Sequence, residues 1–193
     1  MVIESLVRPK LEHRPWKMFF IGFLYSSAAV FLSLWIFEQY ASLVMVFLTV
    51  TASVPLMYGM LKVEEKKDTI IKEESTLLKE HGKVLSFLLF LFIGFLMGYF
   101  LWYIVLPANL VQTLFSTQLE TIGVINSSSI EANISAGSNI FAQIFFNNIK
   151  VLMFCIFFAF FYGAGAIFIL TWNASVISAA IGTFFKNKVA EYA

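Results

Sequence analysis

Residues 84–106 read VLSFLLFLFIGFLMGYFLWYIVL, a run without a charged side chain and without a break until Pro107. About 20 apolar residues at ~1.5 Å rise each cover the ~30 Å hydrocarbon core of a bilayer, so this stretch has the length and composition of a membrane-spanning helix. Two similar runs precede it, 18–37 and 41–61, with only Glu38, Gln39 and Tyr40 between them, which predicts a tight turn. Pro55 lies inside the second run and, having no backbone donor, predicts a kink there. A fourth run begins near Val151 and stays apolar as far as Phe185, where Lys186 and Lys188 stop it. It is too long for one straight span, and Gly163, Gly165 and Asn173 are the candidate breaks. The expectation is a span over 151–171 followed by an interfacial or re-entrant segment over 173–185. With 60% hydrophobic residues, 18% aromatic, 23 Phe and a mean hydropathy of +0.83, the composition agrees. A charged fraction of 13% is about half that of a soluble domain. The fold class expected is all-α: one membrane domain over 1–193, a polytopic helical bundle of about four spans plus interfacial helices.

The charges give this bundle an orientation. From Leu106 through Asn148 there is no Lys or Arg, whereas Arg8, Lys10, Arg14 and Lys17 precede the first span and six lysines lie within 62–83. Short loops rich in Lys and Arg stay in the cytoplasm, which places 107–149 outside. With four crossings, Lys186 and Lys188 return to the basic side and both termini are cytoplasmic, in a multi-pass protein of the cell membrane. The first span is not followed by a small-residue cleavage site and reads as an uncleaved anchor. The lone Cys155 lies in an apolar run and excludes an intrachain disulfide.

Within 62–83, Val63, Ile70 and Leu77 recur every seven residues with Ile71 and Leu78 beside them. That is a narrow stripe on a solvated cytoplasmic helix, resting on the membrane surface or docking a partner, with Gly82 as its stop. In the external loop, Leu110, Val111, Leu114, Phe115 and Leu119 recur at helical spacing, as do Ile140, Phe141, Ile144 and Phe145. Two amphipathic helices that cap the bundle from the outer interface account for both sets. Asn126-Ser-Ser and Asn133-Ile-Ser are glycosylation sequons in that loop, and Asn173-Ala-Ser is a third at the membrane.

The spans contain no intramembrane acid or base apart from Lys150 at an outer end, and no nucleophile and base, phosphate-cradling loop or metal-ligand spacing is legible. His13 and His81 fall in cytoplasmic segments. The sequence therefore reads as non-enzymatic, with no cofactor, no metal and no nucleic-acid partner. Its partners are expected to be membrane lipids, other membrane proteins or further copies of itself. Small residues carry the pattern instead: Gly94 and Gly98 in the third span, Ala159 and Gly163 in the fourth, then Ala174, Ser178 and Gly182 at four-residue spacing, which permits close helix packing. Asn147 and Asn148, beside Lys150, read either as a polar junction able to satisfy freed backbone groups or as a simple interfacial helix start from which Lys150 snorkels outward.

Phe146-Asn-Asn-Ile-Lys-Val-Leu, Phe161-Tyr-Gly-Ala-Gly-Ala and Leu170-Thr-Trp-Asn-Ala-Ser-Val-Ile-Ser-Ala-Ala-Ile-Gly182 together resemble the stage II sporulation protein M family, particularly its archaeal branch. Leu78-Lys-Glu-His81, Trp102-Tyr-Ile-Val-Leu-Pro107 and Leu114-Phe-Ser-Thr-Gln118 add to the resemblance, which covers about 77–182. It implies an integral membrane scaffold: the namesake helps gather peptidoglycan-degrading partners during engulfment and is not itself thought to be the hydrolase. An archaeal-type member would share the fold and a scaffold or remodelling role, not that pathway. The resemblance singles out Asn147, Asn148, Gly163, Gly165, Asn173 and Gly182. It also implies further helices after Gly182, with a His-Gly and a glutamate, that this sequence lacks. The function expected is a scaffold or assembly subunit of a membrane complex, the alternative being a transport component, a small pore or permease-like subunit.

Overall fold

The computed structural model describes residues 15–70, 74–124, 149, 153 and 164–192. Among them every regular element is helical: α1 (Lys17–Ile36), a 3-10 turn (Glu38–Tyr40), α2 (Ala41–Ile70), α3 (Glu74–Val105), α4 (Ala108–Leu114), α5 (116–124) and α6 (Ala164–Tyr192). Four helical stretches are long and apolar enough to cross a membrane: Lys17–Ile36, Glu38–Val63, Gly82–Val105 and Gly165–Val189. Helices satisfy their own backbone groups, which is the requirement for spanning a medium that offers no hydrogen bonds. Each span also turns large apolar side chains outward, among them Leu24, Phe47, Leu89 and Phe184. A lipid solvent accounts for these exposed faces. On α1, exposed Trp16 and Trp35 bracket the span about 28 Å apart, matching the aromatic belts of a bilayer.

The four long helices form a ring in the order α1, α3, α6, α2. The α1–α3 contact is the most extensive, and α2 barely meets α3 across the ring. Directions follow from side-chain pairings. Gly22 of α1 lies against Leu91 to Phe95 of α3, Ser26 against Gly98, and Phe31 packs on Trp102 at 4.4 Å between centroids, so α1 and α3 are parallel. Ser178 donates to the Leu96 carbonyl (2.9 Å), Tyr103 meets Thr183 (2.8 Å) and Lys186 donates to the Leu106 carbonyl (3.0 Å), so α6 is also parallel to α3. Only α2 runs the other way, entering from the turn at the end of α1.

This geometry corrects three expectations. First, α6 is one unbroken helix, so 173–185 is the body of a span and not an interfacial or re-entrant segment. Asn173 is no break, because its amide donates to the Ile169 carbonyl of its own helix (2.8 Å). Second, Lys186 and Lys188 do not return to the basic end of the bundle: Lys186 sits at the Leu106 end. The sequence apportions the apolar run as one crossing plus a surface segment, whereas Gly165–Val189 is by itself long and apolar enough to cross a membrane. Third, 62–83 is not a separate helix, since α2 continues to Ile70 and α3 starts at Glu74, with Gly82 inside it. Pro55 lies within α2 without ending it. The earlier part of the expected fourth span, 151–163, falls outside the described residues apart from Met153.

Candidate functional site

Pro107 ends α3, and α4 begins at once, with the Val111 amide donating to the Pro107 carbonyl (3.1 Å). The fixed ring of Pro107 stops one helix and suits the start of the next. The chain then turns back into the bundle. Val111, Leu114, Phe115 and Gln118 are buried, the last three completely. Phe115 stands edge-on to Tyr103 (5.0 Å between centroids) and Tyr99 (6.5 Å), so α4 and α5 reach about two helical turns below the end of α3. The first of the two expected amphipathic helices thus inserts between the spans; the second, around Ile140 to Phe145, falls outside the described residues.

Gln118 holds this insertion. Its Oε1 accepts from the Ser42 hydroxyl (2.7 Å) at the start of α2, and its Nε2 donates to Ser175 Oγ (3.2 Å) on α6. The Thr117 amide donates to Ser42 Oγ (3.1 Å), and Ser175 Oγ donates onward to the Trp172 carbonyl (2.8 Å). One side-chain amide therefore ties α2, α5 and α6. Such bonds between membrane helices contribute roughly 0.6 kcal/mol each, up to about 1.7. Leaving a buried amide without partners costs about 1–3 kcal/mol, so the clasp is held more by the penalty of opening it than by its gain.

Tyr103 is a second junction. Its hydroxyl meets Thr183 Oγ1, whose own proton goes to the Ala179 carbonyl (2.8 Å), so the tyrosine is the donor. Gly182 lies flat against the Tyr103 ring, where a Cβ would meet ring atoms. Lys186 Nζ stands 5.4 Å from the ring centroid while it donates to the Leu106 carbonyl. A cation at the exposed carbonyls of a helix C-terminus is favourably placed against the helix dipole. Deeper in the ring, Tyr99 donates to Thr49 Oγ1 (2.8 Å), which donates to the Met45 carbonyl (2.9 Å).

The α1–α3 seam is built differently. A Cβ at Gly22 would stand 2.6 Å from the Leu91 carbonyl oxygen; one at Gly94 would collide with the Phe19 backbone, and one at Gly98 with the Ser26 side chain. Ser26 turns its hydroxyl onto the Gly22 carbonyl (2.9 Å), and Ser33 onto that of Val30 (2.9 Å). The contact is backbone against backbone at Gly22 and Gly94, and backbone against the small Ser26 side chain at Gly98.

Of the residues singled out from sequence, Gly94, Gly98, Ala174, Ser178 and Gly182 lie buried between spans, and Gly165 is buried near the start of α6. Asn173 is exposed and bonded to its own helix. Asn126, Asn133, Asn147, Asn148, Ala159 and Gly163 lie outside the described residues. Sequence reasoning missed Gly22, Ser42, Ser175, Tyr103 and Lys186 as junction residues. Gln118 closed one of the family-like segments, but nothing local signalled its role. Among the described side chains whose burial is defined, none that is buried is charged; the buried polar groups are serines, threonines and Gln118.

A ring of long apolar helices joined by glycine contacts, hydroxyls and one buried amide defines a membrane-embedded helical protein. The stage II sporulation protein M family profile matches residues 86–192, from α3 to the end of α6, and the chain belongs to that family. α1, α2 and Ser42 lie outside the matched part. No curated protein and no solved structure matches the chain.

Proposed function

We infer that this protein is a non-enzymatic assembly subunit, a scaffold that holds partners within a cell-membrane complex, with the basic end carrying Lys17 and Lys62 in the cytoplasm. The observation that carries the reading is that the buried polar side chains which do not bond within their own helix are used to join helices. Ser42, Gln118, Ser175, Tyr99, Thr49 and Ser178 all bond to neighbouring spans, and none of the described side chains whose burial is defined is both buried and charged. An ion or proton path places ionisable groups in the spans, and a catalytic centre needs a group with capacity to spare. A frame needs neither. Its outward apolar faces suit lipid, other membrane proteins or further copies of the chain, and its basic end suits anionic headgroups.

Crosslinking in native membranes, followed by affinity purification and mass spectrometry, tests the reading. Stoichiometric recovery of other membrane proteins is the expected result. Recovery of the chain alone, together with solute flux through the purified protein in liposomes, would overturn it in favour of a transport component.

A further inference from the structure

The three parallel helices have a consequence for the two faces of the membrane. α1 starts at the basic end and α6 finishes at the opposite one: Phe31 of α1 meets Trp102, and Lys186 of α6 meets Leu106, all toward the end of α3. We propose that the end of α6 carrying Lys186 and Lys188 lies on the extracytoplasmic side, opposite the start of α1, so that the chain between them crosses the membrane an odd number of times. The side rests on the orientation given under the proposed function; the opposition of the two ends rests on geometry alone.

Two lysines on the outer side run against the usual charge bias, and the structure supplies the reason they are tolerated. Lys186 is half-buried, its ammonium donating to the Leu106 carbonyl over the Tyr103 ring. Lys188 pairs with Glu191 at 2.7 Å. Both charges are engaged within the outer end of the bundle, as a cap on α3 and as a local ion pair. The bias itself survives among the described residues, because Lys17 at the start of α1, Lys62, Lys66 and Lys67 toward the end of α2, and Lys79 and Lys83 in the first part of α3 remain with the other end. The 3-10 turn, the Pro107 corner and the end of α6 then make up one outward face, so a partner bound to the end of α6 meets this scaffold from outside the cell.

The test uses the full chain with Cys155→Ser and single cysteines at three exposed positions: Glu38 in the turn after α1, Glu65 on α2 and Asn187 on α6. A membrane-impermeant maleimide is applied to intact cells and again after permeabilisation. The expected result is labelling of Glu38→Cys and Asn187→Cys in intact cells, and of Glu65→Cys only after permeabilisation. Asn187→Cys protected together with Glu65→Cys, while Glu38→Cys is labelled, would overturn this proposal and leave the orientation standing. Glu65→Cys labelled in intact cells with the other two protected would instead overturn the orientation, and with it the side proposed for α6.

Discussion

The α1–α3 seam and the clasp around Gln118 solve the same problem by opposite means. At the seam Gly22, Gly94 and Gly98 let backbones approach, and the attraction is dispersion between atoms already in contact. At the clasp Gln118 bridges α2, α5 and α6 by hydrogen bonds, and at the junction beside it Tyr103 and Lys186 bridge α3 and α6. In lipid no hydrophobic force draws helices together, so close packing and interhelical hydrogen bonds are the means available. The two means fail differently. A tight seam tolerates no added volume, whereas a polar bridge is sensitive to the loss of a partner. The seam joins α3 to a helix outside the family-matched stretch, while Gln118, Ser175, Tyr103 and Lys186 all lie inside it.

The largest effect is therefore expected at the seam. Gly94→Leu drives a side chain into the Phe19 backbone, which cannot move without moving α1, and should destabilise the bundle by about 3 kcal/mol. Denaturant titration in detergent micelles measures this, and an unchanged midpoint would refute the close approach. Gln118→Leu keeps most of the volume and deletes the bridge. A loss of about 1–2 kcal/mol is expected, with Gln118 and Ser175 coupled in a double-mutant cycle. Additive single effects would show that the amide does not span the two helices. Lys186→Met removes the cap on α3 and the contact with Tyr103 at a cost of about 1 kcal/mol, read as a lower unfolding temperature. Smallest of all, Asn173→Ala should stay within about 0.5 kcal/mol, because the exposed amide serves only its own helix. A large loss there would restore Asn173 as a junction residue.

The apolar runs were legible because hydropathy and length are local. Residues 84–106 needed no knowledge of the rest of the chain to read as a span, and the Gly94 and Gly98 spacing marked a surface where a helix could approach. Which helix approaches was not legible from that spacing alone, because the matching surface of α1 is Gly22 and Ser26, a pair of small residues of a kind that recurs in several spans. Gln118 shows the limit more sharply. Its apolar neighbours gave α4 and α5 a buried face, yet its partners lie 76 and 57 residues away in sequence. Lys186 was read as an ordinary stop signal because its acceptor, the Leu106 carbonyl, belongs to another helix.

By itself, then, the sequence determined the class: helices, their approximate lengths, a lipid solvent and a basic end, all consequences of side-chain transfer energies summed along short windows. Only the tertiary structure decided that α6 is continuous and parallel to α3, and that Gln118 and Lys186 bind across the ring. An apolar helix is equally apolar in either direction, so its direction is fixed by contacts between distant residues and not by the composition of the helix.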